Sequence, residues 1–213
     1  MRRWAVVAAG IWCMAQAVAG PVEDYQRGLE AYRRGDVVAS MGALRPAAAA
    51  GHSGAQSLLG YIYEHSGFLD ESTRLWQLAA AQGDADANVG LANAYLAGRG
   101  VAKDEKLALQ HFSKAAAQGH VAAVEIVSTA WIKGQWGLNA KAEPAAALAA
   151  VRRAAEQAHL PSADALALAY RDGLYGLTPD AAQAAAWQAR AVAWRQQRAA
   201  TPPPGAAASR PAP

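Results

Sequence analysis

The chain has 213 residues, of which 53% are apolar and 17% charged, and a formal net charge of +3. That length accommodates one domain or a small array of repeats. The single cysteine, Cys13, lies in an N-terminal apolar run, so the rest of the chain has neither disulfide nor thiol chemistry; no Lys/Arg cluster interleaves with aromatics, which excludes a nucleic-acid footprint.

Residues 1–19 carry Arg2-Arg3, an apolar run over 4–18 broken only by Gln16, and the small-x-small site Ala17-Val18-Ala19 before Gly20. This pattern predicts a secretory signal peptide cleaved after Ala19, and hence a periplasmic or secreted protein. The run is too short to cross a bilayer and none comparable follows, so no membrane span is expected. Trp12 is too large for the position before a lipid-modified cysteine, which leaves ordinary export. Without Arg2 and Arg3 the formal charge falls from +3 to +1. What remains is uneven: residues 20–130 hold nine basic and twelve acidic groups, residues 131–213 nine and five.

From residue 20 onward the chain is organised by repetition, most plainly over residues 83–119. Over 85–96, Ala87, Leu91, Ala92 and Tyr95 share one face of a 3.6-residue period, and over 104–118, Ala108, Leu109, Phe112, Ala115 and Ala116 form a second stripe. Gly98-Arg99-Gly100 supplies the positive φ angles of a helix-to-helix turn, and Gly119 ends the second helix as a C′ glycine. Such an αα-hairpin cannot bury both faces alone. Four, eight, nine and twelve positions after Gly51, Gly83, Gly119 and Ala158 stand a small, an apolar, a small and an aromatic residue. The four sets are Ala55, Leu59, Gly60, Tyr63; Ala87, Leu91, Ala92, Tyr95; Ala123, Val127, Ser128, Trp131; and Ser162, Leu166, Ala167, Tyr170. Eleven, four and three positions before the same markers, the second helices carry Ser40, Ala47, Ala48; Ser72, Ala79, Ala80; Ala108, Ala115, Ala116; and Ala147, Ala154, Ala155. The spacing grows from 32 residues (Gly51 to Gly83) to 36 (Gly83 to Gly119) and 39 (Gly119 to Ala158), and the growth sits in the mid-hairpin loop, where length changes are tolerated.

The order G-x-x-x-A…L-G/A…Y…G-x-G-V…D…A…A-A-x-Q-G, carried by Gly98-Arg99-Gly100-Val101 and Ala115-Ala116-Ala117-Gln118-Gly119, resembles the Sel1-like repeat family, a branch of the tetratricopeptide-like solenoids. The first copy, with Gly28, Gly35-Asp36, Ser40 and Ala47, is similar to the plain tetratricopeptide spacing. The resemblance implies an all-α fold, an α/α superhelical solenoid of about five hairpins over residues 20–200. Copy two departs from the pattern, with Ser66-Gly67-Phe68-Leu69 in place of the Gly-x-Gly-Val loop, and copy four inserts residues before Glu143-Pro144.

Helix signals agree with this phase. Thr178-Pro179-Asp180 reads as N-cap, first-turn proline and acidic first turn, and Glu143-Pro144 opens the preceding second helix in a similar way. Gly134-Gln135-Trp136-Gly137-Leu138 recurs as Gly173-Leu174-Tyr175-Gly176-Leu177; the expected role is packing back onto the adjacent hairpin, the alternative an aromatic ridge facing a ligand. Trp76, Phe112 and Trp187 fall on apolar faces and are expected in the core. The tail over 201–213, rich in proline and alanine, is expected to be disordered.

The residues offer little chemistry. His52, His120 and His159 occupy equivalent places in different copies, too far apart to share a metal, and are expected in surface turns; no metal site, cofactor or catalytic residue is expected. The pairs Asp70-Glu71 and Asp104-Glu105 open second helices, where the dipole favours negative charge.

The resemblance further implies that first helices line a concave groove. Carried over by register, that groove comprises Tyr25, Leu29 and Arg33; Tyr61, Glu64 and His65; Asn93; Glu125, Thr129 and Lys133; and Asp164, Leu168 and Arg171. The expected function is therefore an exported scaffold that binds a protein or peptide partner in the bacterial cell envelope, not an enzyme. The resemblance also allows a peptidoglycan-related binder or hydrolase regulator, or an enzyme of β-lactam-related activity. Trp187 and Trp194, seven apart on the last helix, suggest self-association through that end.

Overall fold

The computed structural model describes residues 20–200; the proposed signal peptide (1–19) and the Pro/Ala-rich tail (201–213) lie outside the described residues. Ten α-helices and no strand occur among the described residues. They are α1 (Pro21–Arg33), α2 (Val37–Ala49), α3 (Ser53–His65), α4 (Leu69–Ala81), α5 (Ala85–Ala97), α6 (Glu105–Ala117), α7 (Val121–Lys133), α8 (Pro144–Glu156), α9 (Leu160–Asp172) and α10 (Ala181–Ala200). Consecutive helices pair into five hairpins, and each second helix packs on the first helix of the next. First helices also lie beside first helices, α1 with α3, α3 with α5 and α7 with α9, whereas no two second helices pack together to that extent. The array therefore curves with its first helices on the inner side, as in an α/α solenoid.

The turn chemistry explains why the helices stop where they do. After α6, the His120 amide donates to the Ala115 carbonyl (3.1 Å) and the Gly119 amide to the Ala116 carbonyl (2.9 Å), with Gly119 at φ +87°. This pair of bonds closes the helix end and needs one left-handed residue. His120 then starts α7, its Nδ1 accepting the Ala123 amide at 3.3 Å. The same three-residue link joins α2 to α3 and α4 to α5, where His52 Nδ1 and Asp84 Oδ1 accept from Ala55 (3.2 Å) and Ala87 (2.8 Å). His52 and His120 are thus partly buried helix caps rather than plain surface-turn residues.

In the fourth such link the left-handed position is occupied by Ala158, at φ +61°. An L-residue there costs about 1–2 kcal/mol relative to glycine, offset in part by the entropy glycine adds to the unfolded chain. Ala158→Gly is expected to stabilise the protein by about 0.5–1 kcal/mol in urea denaturation, while Gly83→Ala at the equivalent place destabilises it.

The core consists of the small and apolar rows anticipated from the spacing. Ala47, Ala79, Ala115 and Ala154 are completely buried, as are Ala55, Ala87, Ala123 and Ser162. Leu44, Trp76, Phe112 and Val151 fill one equivalent slot in successive second helices, and Trp76, Phe112 and Trp187 are all core residues. Small residues let the helices approach: a Cβ at Gly28 would lie 2.6 Å from Leu44, and one at Gly60 2.8 Å from Trp76. The two aromatic loops pack back as expected. Trp136 stacks on Phe112 (5.9 Å between centroids, 12° between planes), and Tyr175 packs between the cores of the last two hairpins.

Two expectations change. The cap of α10 is Asp180, whose Oδ1 accepts the Gln183 amide at 3.0 Å; Thr178 and Pro179 lie in the preceding extended segment, because the Asp180 amide is itself drawn to the Tyr170 carbonyl (2.7 Å). Trp187 is buried and Trp194 half-buried against the last hairpin's core, so neither is left as a free apolar end.

Candidate functional site

Thirteen-residue first helices in one register place equivalent residues in rows along the inner side. One row reads Tyr25, Ser57, Val89, Glu125, Asp164; the next Leu29, Tyr61, Asn93, Thr129, Leu168. Where α1, α3 and α5 lie side by side, these rows enclose a groove of about 500 Å³. Tyr25, Leu29 and Tyr32 of α1 form one wall, Leu58, Tyr61, Glu64 and His65 of α3 the middle, and Val89, Gly90 and Asn93 of α5 the other wall. Trp76, from the second helix α4, reaches between α3 and α5 to form part of the floor. It can do so because Gly90 has no side chain: a Cβ there would lie 2.5 Å from the indole.

The aromatic groups are held by one another. Tyr32 and Tyr61 meet edge to face (6.1 Å, 89°), Tyr61 lies 4.1 Å from the His65 ring, and Tyr25 stacks on His52 at 4.5 Å. Desolvation, with the hydrogen bond to Tyr61, raises the Tyr32 phenol above its ordinary pKa. Yet Tyr61 remains 43% exposed and Leu58 partly so, an apolar surface left open to an occupant. Polar groups surround it. Glu64 is fixed by Arg99 (2.6 Å) from the loop of the third hairpin and by His65 (3.0 Å). Asp84 caps α5, Asp86 accepts from His120 Nε2 at 3.0 Å while its side chain stays 79% exposed, and Asn93 is exposed.

Of the residues the register assigned to a groove, the structure gathers Tyr25, Leu29, Tyr61, Glu64, His65 and Asn93 into one cavity. The continuous groove does not extend further. The approach of α5 to α7 is weaker than that of the other neighbouring first helices, and Arg33, Glu125, Thr129 and Lys133 do not line the cavity. Asp164, Leu168 and Arg171 instead border a separate cleft of about 210 Å³ with α10, where Asp164 pairs with Arg195 and Arg171 binds the neighbouring Asp172 through two bonds (2.7 and 2.8 Å). The residues missed include Tyr32, Leu58, Val89, Gly90, Asp84, Asp86 and Trp76. Tyr32 and Glu64 share a register position, as do Tyr25 and Val89, so reading those same rows through every hairpin finds Tyr32 and Val89.

A chain of hydrogen bonds, His159 Nδ1 to Ser162 Oγ (2.5 Å) and Ser162 Oγ to Ser128 Oγ (2.7 Å), superficially suits nucleophile activation. Both serines are completely buried, so no substrate reaches either hydroxyl, and the chain instead ties α7 to α9. Among the described residues no three His, Cys, Asp or Glu side chains converge as a metal site, and no helix is long and apolar enough to cross a membrane.

Burial also sets an acid sensitivity. His111 stacks on Tyr95 (5.7 Å, 12°) and contacts Asn88 Oδ1 at 2.9 Å; desolvation, with the nearby Lys114, lowers its pKa. His159 is lowered by desolvation and by Arg198, against an opposing pull from Glu125. With folded values below the unfolded value of about 6.5, the unfolded chain binds more protons in that interval, so stability is full above it and lost as pH falls. The melting temperature is expected to drop between about pH 7 and pH 5, and less steeply in His111→Gln.

No known family model matches the sequence, and no curated protein matches it. Solved structures do. The protein c5321, a protective antigen present in uropathogenic Escherichia coli strains and displaying an SLR fold, is similar with a TM-score of 0.63 and 27% identity over 81% of this chain. This chain spans 38% of that longer one. A Sel1 repeat protein from Oxalobacter formigenes is similar with a TM-score of 0.63 and 26% identity, over 81% of this chain and 73% of that one. The repeat register, the paired helices and these two structures agree: the chain has the fold of a Sel1-like repeat solenoid.

Proposed function

We propose that this chain is an exported scaffold of the bacterial envelope that holds a segment of a partner protein in the groove formed by α1, α3 and α5. The observation that carries the reading is the open aromatic surface of that groove. Tyr61 keeps 43% of its surface exposed inside a concavity of about 500 Å³, and concave sites with apolar walls and a few polar groups are where ligands bury most area. The sequence over 1–19 supports export, and intact-mass analysis of periplasmic material is expected to give a chain beginning at Gly20; one still beginning at Met1 overturns that part.

The groove itself is tested by Tyr61→Ala combined with Asn93→Ala, compared with Lys106→Ala combined with Gln110→Ala on the exposed face of α6. All four residues are exposed, so helicity by circular dichroism is expected to persist in both variants. Capture of the partner is expected to fail only in the first. Loss of the partner in the α6 variant alone places binding on the convex side.

A further inference from the structure

We propose that the occupant of this groove is an extended peptide segment carrying a lysine or arginine beside apolar residues; the inference rests on the groove reading above. The lining contains Glu64, Asp84 and Asp86 but no lysine or arginine. Arg99 neutralises one of these carboxylates from outside the lining. The N-terminus of α5 contributes about half a positive charge, which the two aspartates beside it exceed. Asp86 is the most available of the three, with its side chain 79% exposed and one oxygen beyond the His120 contact. Around these acids stand the faces of Tyr25, Tyr61 and Val89, which suit the alkyl stem of a basic residue and its apolar neighbours.

The extended backbone follows from a polar group on the α5 wall. Asn93, in the same row as Leu29 and Tyr61, presents an amide with both donors and an acceptor to the groove, the complement of one peptide unit. A helical segment has already spent those backbone groups internally and leaves Asn93 unanswered. The acidic bias of residues 20–130 extends the same polarity beyond the cavity, so a cationic segment is drawn toward this half of the array rather than the basic half.

The test selects displayed random dodecamers on the chain lacking residues 1–19 and measures synthetic copies of the winners by isothermal titration calorimetry. The winners are expected to be enriched in Lys and Arg over Asp and Glu and to gain no helical signal on binding. Replacing their basic residue with Gln is expected to weaken binding about two- to fivefold, the range for one exposed ion pair. In Asp86→Asn that same replacement is expected to have no further effect, and Asp86→Lys is expected to favour the Glu version of the peptide. Winners that are neutral or acidic, or that turn helical, yet lose binding in Tyr61→Ala, overturn the inference and leave the groove reading standing. Winners indifferent to Tyr61→Ala, or an absence of winners, overturn both.

Discussion

Trp76→Ala is expected to destabilise the protein by about 3–5 kcal/mol, the cost of removing a large buried aromatic without refilling its space. Only 5% of Trp76 is exposed, and its Nε1–H donates to the Ser57 carbonyl at 3.1 Å, so truncation leaves a cavity and removes that carbonyl's bond beyond its own helix. The neighbours cannot collapse cheaply, because Gly60 and Gly90 face the ring and have no side chains to move into the gap. In a repeat array each hairpin is stabilised by its neighbours, so loosening this one joint is expected to broaden the urea transition as well as shift it. Trp76→Phe, which keeps most of the volume and loses the hydrogen bond, is expected to cost about 1–2 kcal/mol. Equal losses in the two variants contradict the packing described. The alanine variant is also expected to lose peptide binding, since the indole forms part of the groove floor.

Ala115→Leu is expected to lower stability by about 1–3 kcal/mol, whereas Ala117→Leu changes it by less than about 0.5 kcal/mol. Ala115 is completely buried and its carbonyl receives the His120 amide, so a larger side chain there presses on the hairpin and on the turn to α7 together. Ala117, two residues on, points to solvent. The equivalent alanines at 47, 79 and 154 are equally buried, and leucine at any of them is expected to act alike. Thermal melts of the paired variants check this. Similar shifts at 115 and 117 contradict the helix phase.

Helix phase and turn position are legible in this sequence because both are local. An alanine at 115 and another at 116 fall on one stripe by the 3.6-residue period alone, and Gly119 marks the end of its helix because few other residues adopt φ +87° without strain. Repetition then multiplies the signal, so that Ala158 can be recognised as a glycine's substitute, and the structure holds it in that strained conformation. Where two local signals compete, the reading slips: Thr178 and Asp180 are both good caps, and the distant Tyr170 carbonyl selects Asp180 by binding its amide.

The register by itself determined the solenoid, its helix pairs and which residues of the first helices face inward. It did not determine how far the groove runs. That depends on how closely first helices of neighbouring hairpins approach, which inter-repeat contacts decide, and the weaker approach of α5 to α7 leaves Glu125, Thr129 and Lys133 outside the cavity. Nor did it show that Trp76, on an outer helix, reaches the groove floor past Gly90, or that Arg171 is already engaged by Asp172. Periodicity fixes the direction in which a side chain leaves its own helix; only the packed neighbours, tens of residues away along the chain, decide what it meets there.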